Sequence, residues 1–317
     1  MTNAEQMMLY KIKSVMIGHA VGDALGVPVE FDYREMLAKN PVTDMEGYGT
    51  YPYPKGTWSD DTSMSLAALE SLANGEIKWE EIMDNFGKWL NDGEYTPDGQ
   101  AFDVGRTCLA AIYNYFNSDV EATKSGGIDE RSNGNGSLMR IHPFALMAAL
   151  DRKTHCNWES IIEQASSLTH AHERSKLACK IYTLILFRLL DVPRKDSVNF
   201  ALGWADYRYD GSPEHDAYNR LFSPDFDKTP IDEIRSTGYV VDTLEAAVWC
   251  LMTTDNYKDC VLKAVNLGDD TDTIAAIAGG LAGALYGYEN IPKEWRDTLI
   301  KREYIEELCE GASKTWN

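Results

Sequence analysis

Apolar residues recur at three- and four-residue intervals along most of this chain, the spacing that lines one face of an α-helix and buries it. The pattern predicts helices over 9–27, 64–72, 79–90, 104–116, 138–150, 177–190, 243–252, 261–267, 274–286 and 295–308. No run alternates with a period of two for long enough to build a sheet, so the expected fold class is all-α. Three connections interrupt the helices. Residues 40–57 are rich in Gly, Pro and Tyr, 117–136 end in Asn133-Gly134-Asn135-Gly136, and 207–238 mix aromatics, Pro and acids. Loops this long are commonly functional or disordered. No shift in composition marks a linker, and residues 1–317 read as one domain.

Two of the helices carry glycines four residues apart, Gly18, Gly22 and Gly26 in one and Gly279, Gly283 and Gly287 in the other. Such a series occupies a single helix face. Glycine inside a helix costs about 1 kcal/mol relative to alanine, so a packing or functional gain should offset it. Both helices are therefore expected at the tightly packed centre, touching each other or each making a separate close contact.

Two polar clusters stand directly before helical runs. Trp58-Ser59-Asp60-Asp61-Thr62 precedes 64–72, and Gly268-Asp269-Asp270-Thr271-Asp272-Thr273 precedes 274–286. Ser, Thr and Asp are preferred helix N-caps, and carboxylates there interact well with the helix dipole, so either cluster alone could be a cap. A cap needs one such residue, whereas these segments hold five carboxylates interleaved with hydroxyls. If the two helix starts converge, mutual repulsion raises the carboxyl pKa values unless a cation intervenes. Oxygen-only ligands suit Mg²⁺, Mn²⁺ or Ca²⁺ rather than zinc. No EF-hand spacing is present, and two clusters sharing bridging carboxylates suit a pair of ions about 3.5–4 Å apart.

Charge narrows the partners. Fifty Asp and Glu against thirty Lys and Arg give a formal net charge of -20. So acidic a surface repels phosphate backbones, which argues against nucleic acid and anionic membrane as partners. Most of these acids serve solubility. A small anionic ligand needs local metal ions or backbone N–H groups. The six cysteines, at 108, 156, 179, 250, 260 and 309, form no CxxC pair, and four lie in apolar helical stretches, as expected of structural thiols in a reducing compartment. The N-terminal segment lacks a signal-peptide pattern. The most apolar stretch, 274–285, falls short of the roughly 20 residues that span a bilayer. A cytoplasmic monomer is expected.

At this point the motifs, taken in order along almost the whole chain, resemble the ADP-ribosylglycohydrolase family, which includes the dinitrogenase-reductase-activating glycohydrolases. They are Gly22-Asp23-Ala24-Leu25-Gly26, Trp58-Ser59-Asp60-Asp61-Thr62, Phe102-Asp103-Val104-Gly105, Asn135-Gly136-Ser137-Leu138-Met139-Arg140, Leu168-Thr169-His170 and Gly268-Asp269-Asp270-Thr271-Asp272-Thr273. The resemblance implies a compact orthogonal bundle of helices around a central cleft with two Mg²⁺ or Mn²⁺ ions. Carried over by position, the metal ligands are Ser59, Asp60 and Asp61 with Asp270, Asp272 and Thr273. The family more often has Thr where Ser59 stands, and the ligating hydroxyl is kept.

The resemblance also implies that Glu30, otherwise a solvated acid at a helix end, approaches metal and substrate. It places Asp103, with Gly105, near the distal ribose, His170 against substrate, and Gly238 and Tyr239 at the adenine end. Arg106 stands where some relatives carry Asn. The run Asn133–Ser137, leading into a helix at Leu138, suits a nest of backbone N–H groups for a pyrophosphate, with Asn135, Gly136 and Ser137 touching substrate. Met139 and Arg140 are expected to brace that helix. His170 and His172, two residues apart, do not share a helix face, which argues against zinc. His19, His142, His155 and His215 read as ordinary histidines.

The expected reaction removes ADP-ribose from a modified protein side chain or small acceptor by cleaving the bond at the distal ribose, through an oxocarbenium-like transition state. Two ions would fix the ribose hydroxyls and acidify a water. Glu30, Asp61 or Asp103 would move the protons, Glu30 first among them. Two rivals remain: a catalytically silent ADP-ribose-binding or structural member of the family, and a metal-dependent nucleotide pyrophosphatase, whose product would be AMP rather than intact ADP-ribose.

Overall fold

Residues 2–151 and 153–316 are described by the computed structural model, and every regular element among them is helical. Fourteen α-helices follow in order: α1 (Asn3–Gly26), α2 (Arg34–Leu37), α3 (Asp60–Leu72), α4 (Trp79–Asp92), α5 (Arg106–Asn117), α6 (His142–Leu150), α7 (Trp158–Ser167), α8 (Glu173–Asp191), α9 (Asp196–Tyr209), α10 (Val240–Met252), α11 (Tyr257–Val265), α12 (Thr271–Tyr286), α13 (Lys293–Thr298) and α14 (Arg302–Thr315). Only two isolated β-bridges, Gly127 with His170 and Gly134 with Tyr239, occur among the described residues. No described helix is long and apolar enough to cross a membrane.

Helix α1 starts from a capping box. The Glu5 N–H donates to the Thr2 hydroxyl, and the Thr2 N–H donates to the Glu5 carboxylate. Its last three turns are wholly buried against α12. A Cβ built at Gly18 would lie 2.5 Å from the Gly279 carbonyl oxygen, and one at Gly22 would fall on the Ala275 carbonyl. At Gly26 it would meet the Asp272 backbone, and at Gly283 the Ser14 carbonyl. The partners descend along α12 as the numbers rise along α1, so the helices are antiparallel and in backbone contact. The two glycine series thus face each other. The Tyr257 hydroxyl from α11 donates to the Gly18 carbonyl at 2.6 Å. Helices α3, α6, α11 and α14 pack around α1, and α3, α8, α10 and α11 around α12. This antiparallel pair delivers the end of α1 to the start of α12, where the acids are.

Several expectations need correction. Gly287 does not belong to the packed stripe: with φ of 86° it ends α12. The helix expected from 138 begins at His142, after a turn, with Pro143 in its first turn where a missing N–H costs nothing. The helix expected over 295–308 is two helices, broken where Lys301 takes a left-handed φ of 52°. Helices α7 and α9 are additional. On α9 the buried positions Val198, Ala201, Leu202, Ala205 and Tyr209 keep helical spacing, but exposed Phe200, Trp204 and Tyr207 blur the apolar face.

Candidate active site

The site begins with an acid inside an apolar helix. Asp23, fully buried in α1 between Gly22 and Ala24, accepts hydrogen bonds from the backbone N–H groups of Ser59 (2.9 Å) and Thr62 (3.0 Å) and from the Thr62 hydroxyl (2.6 Å). The N-terminus of α3 is thus capped largely from another helix. Ser59, the N-cap residue, contributes only a long bond from the Asp61 N–H at 3.4 Å. Asp60 and Asp61 are free of capping duty. Burial pushes the Asp23 carboxyl up to about 6, against the pull of these donors.

The start of α12 meets the start of α3. The Thr273 hydroxyl donates to Asp61 Oδ2 at 3.1 Å across a sequence separation of 212 residues, and the Ser59 hydroxyl reaches the same oxygen at 3.2 Å. Asp270 precedes α12 without capping it. Its Oδ2 accepts from the Asn135 side chain at 2.8 Å, and that amide also donates to the Thr243 hydroxyl at 3.0 Å. Asp272 accepts from the Thr273 N–H through Oδ1. Among buried side-chain atoms without a hydrogen-bond partner are Asp61 Oδ1, Asp272 Oδ2 and Glu30 Oε2. Burial first, and neighbouring carboxylates second, push Asp60, Asp61 and Asp272 well above the ordinary range, and burial also raises Asp270.

Buried carboxylate oxygens without donors are costly. A cation offsets that cost, and a donor set of carboxylates with Ser and Thr hydroxyls is that of a hard divalent ion. Carboxylate oxygens of Glu30, Asp103 and Asp272 lie within 4.8 Å of one another. The residues fit the divalent ions that the sequence suggests.

Above the acids opens a cleft of about 370 Å³. Its walls hold Glu30, Asp60, Asp103, Asp270 and Thr273, together with Gly105, Asn135, Gly136, His170 and Gly238. Glu30 follows the short 3₁₀ turn Val27–Val29 and is 4% exposed; burial first, then Asp103 and Asp270, raise its carboxyl to about 9. Asp103 stands on a loop with φ of 53° and accepts from the Tyr51 hydroxyl at 2.9 Å. His170 is buried; burial and then the Arg140 charge lower its pKa to about 3, so the ring is neutral. Arg140 donates to the Thr169 hydroxyl at 2.7 Å, which in turn contacts His170 Nδ1 at 2.9 Å. Arg140 therefore braces the histidine loop. A hollow of about 590 Å³ beside α8 and α9 is larger, but Asp191 is its only acid.

Some residues sit differently from expectation. Ser137 is fully buried behind the cleft wall, its hydroxyl 3.6 Å from Cys179 Sγ and accepting from Ser166 at 3.0 Å, so its side chain is turned away from the cleft. The Asn135 side chain holds Asp270 as well as lining the cleft. Tyr239 is half-buried as the N-cap of α10, with Arg174 5.8 Å over its ring, and does not line the cleft. Ser59, Asp61 and Asp272 lie beneath the cleft surface rather than on it. His19 and His142 stack at 3.9 Å in the core, neutral because burial lowers both. Sequence reasoning gave no role to Asp23 or Tyr51. An acid embedded in an apolar glycine-striped helix is a signal for the first; the second has none.

The family model described as ADP-ribosylglycohydrolase matches residues 5–317. A protein of Serratia proteamaculans (strain 568) named ADP-ribosylarginine hydrolase Tri1 is 34% identical, over 96% of this chain and 80% of its own. The ADP-ribosyl-[dinitrogen reductase] glycohydrolase of Rhodospirillum rubrum is also 34% identical, over 90% of each. A solved structure titled "ADP-ribosylglycohydrolase-related protein complex" superposes with a TM-score of 0.81 at 27% identity, covering 98% of this chain and all of that one.

Proposed function

The chain belongs to the ADP-ribosylglycohydrolase family, and from that premise we propose that it hydrolyses the bond between the distal ribose of ADP-ribose and an arginine side chain. Removal of ADP-ribose from a modified substrate is the activity of this family's hydrolases, and the chain is one of them. The observation that carries the reading is the meeting of the two acidic helix starts, with carboxylate oxygens of Asp61, Asp272 and Glu30 left without protein donors at one cleft. For the acceptor, the support is the likeness over most of the chain to proteins named ADP-ribosylarginine hydrolases, at 34% and 31% identity.

Family members depend on metal, and we assign Ser59, Asp60, Asp61, Asp270, Asp272 and Thr273 to hold two Mg²⁺ or Mn²⁺ ions, with Glu30 and Asp103 within 4.8 Å of Asp272 at the same place. Bound there, the ions would supply Lewis acidity toward the ribose hydroxyls and a water. The protein's own groups do the rest. Asp23 and Asn135 fix the acids from behind, as outer partners of ligands do. Glu30, whose Oε2 is free of donors and whose carboxyl burial raises to about 9, is the group that moves the proton at the reacting centre; Asp103 holds its place beside it. The backbone at Gly136, on the cleft wall, receives the pyrophosphate, which lets an acidic protein hold an anion without a basic patch. His170, neutral, offers its ring to the substrate without adding charge.

The experiment removes metal with EDTA and follows release of intact ADP-ribose from an arginine-linked peptide. Release should cease and return with Mg²⁺ or Mn²⁺. Undiminished release after chelation would overturn the metal site, and cleavage of a serine-linked peptide alone would overturn the acceptor.

A further inference from the structure

We propose that Tyr51 is a positioning residue for this reaction, setting the carboxylate of Asp103 against that of Glu30 through its hydroxyl; the assignment rests on reading the cleft as the glycosidic site. Neither carboxylate stands on a long helix. Glu30 follows a three-residue 3₁₀ turn, and Asp103 sits in a loop with left-handed backbone. A left-handed backbone is disfavoured for a residue with a side chain, so its surroundings must hold it.

Three consecutive residues of the Gly- and Tyr-rich loop supply the hold. Gly49 lies flush on the turn before Glu30, so close that a Cβ there would fall on the Pro28 carbonyl oxygen. Thr50 donates its N–H to the Pro28 carbonyl at 2.8 Å and its hydroxyl to the Glu30 carbonyl at 2.6 Å. Tyr51 then reaches across to the other segment. Its hydroxyl donates to Asp103 Oδ1 at 2.9 Å, and the Asp103 and Glu30 carboxylates have oxygens within 4.8 Å of each other. Its ring packs 5.0 Å from that of Phe102, which Tyr53 contacts on its own account at 4.6 Å.

The loop is thereby fastened to the Glu30 turn through its backbone and to the Asp103 loop through one side chain. Two carboxylates so close repel each other unless a donor stands between them. Burial, followed by the charges of Asp103 and Glu30, raises the phenol's pKa far above its usual value, so the hydroxyl stays a donor. Tyr51 makes no hydrogen bond to either acidic helix start among the described residues, but Asp103 lies within 4.8 Å of Asp272, so metal binding has to be measured beside turnover.

The test is Tyr51→Phe, which keeps the ring on Phe102 and removes the donor. We expect kcat on the arginine-linked peptide to fall roughly 10- to 100-fold, the range for loss of an outer-shell hydrogen bond. KM, Mn²⁺ stoichiometry, ADP-ribose affinity by calorimetry and the melting temperature should hold. Tyr53→Phe should keep full kcat. Because Tyr51 acts through Asp103, adding Tyr51→Phe to Asp103→Asn should cost nothing further, whereas additive losses would overturn the proposal. So would an unchanged kcat, or a loss that appears in ADP-ribose affinity instead. A readout independent of turnover comes from carboxyl ¹³C NMR: the titration midpoints of Glu30 and Asp103 should move in Tyr51→Phe and stay put in Tyr53→Phe. Unmoved midpoints overturn the clamp. Midpoints that shift in Tyr51→Phe, together with a wild-type protein that releases no ADP-ribose, would count against the glycosidic reading alone.

Discussion

On the floor of the cleft, Asp60, Asp61, Asp272 and Thr273 stand on the first turns of two long helices. On its rim, Glu30, Tyr51 and Asp103 stand on loops, with left-handed backbone at Phe31 (φ 67°), Tyr48 (φ 59°) and Asp103 (φ 53°). Both regions crowd carboxylates together, and they hold them by different means. The floor draws precision from helix geometry and from acceptors or donors behind it, Asp23 and Asn135, and takes a left-handed non-glycine backbone only at Asp269 (φ 60°), in the turn that leads into α12. The rim has no helix to lean on and spends backbone strain and a tyrosine hydroxyl instead. Helix ends suit groups that must hold charge in place, and loops suit groups that must meet a substrate from the side.

That contrast predicts effects of graded size. The largest falls on the floor: Asp272→Ala should lower ADP-ribose release roughly 10³-fold or more and abolish Mn²⁺ binding by calorimetry, since several kcal/mol of stabilisation are removed at once. Its helical circular dichroism should persist. Retained Mn²⁺ binding would show that the floor is not the ion site. Next comes the rim. Glu30→Gln should reduce kcat about 10²–10³-fold, the scale of a lost proton-transfer group, while ADP-ribose still binds. Should metal binding vanish with it, floor and rim are one unit and the distinction fails.

A smaller effect is expected behind the floor. All three of Asp23's partners donate, so Asp23→Asn turns an amide N–H toward at least one donor. Weakening of Mn²⁺ affinity by about 10- to 100-fold is expected, readable by competition with a chelating dye. The smallest is a pH effect on the metal-free protein. Folding raises the carboxyls of Asp23, to about 6, and Glu30, to about 9. A carboxyl raised on folding contributes stability below its unfolded pKa, near 4, and that contribution is lost as pH climbs through the folded value. The melting temperature of the metal-free protein should therefore decline by a few degrees between about pH 5 and pH 9, with Glu30→Gln flattening the upper part. Saturating Mg²⁺ should raise it most at the alkaline end. A flat profile without metal would mean that the acids are not buried as described.

Much of this was legible before any coordinates. The 3.6-residue period gave the helices, and their interruption gave the loops; the four-residue α2 and the helices α7 and α9 escaped it. The two acid clusters were visible as an excess over what capping needs. What escaped were roles defined by a distant partner. Asp23 caps a helix that starts 36 residues away, and Tyr51 acts on a carboxylate 52 residues on. Ser137 looked like part of an anion nest because its neighbours are glycines, yet its hydroxyl turns inward to Ser166.

Local spacing is written into the chain because a helix is stabilised by residues three and four apart, so the elements, their apolar faces and the acids at their starts belong to the sequence. The convergence of Asp61 and Thr273, 212 residues apart, belongs to the fold. It arises where the glycine faces of α1 and α12 let two backbones touch and where Asp23 of α1 holds the start of α3 beside them. No pattern within either segment records it, because burial and close approach are properties of the packed molecule.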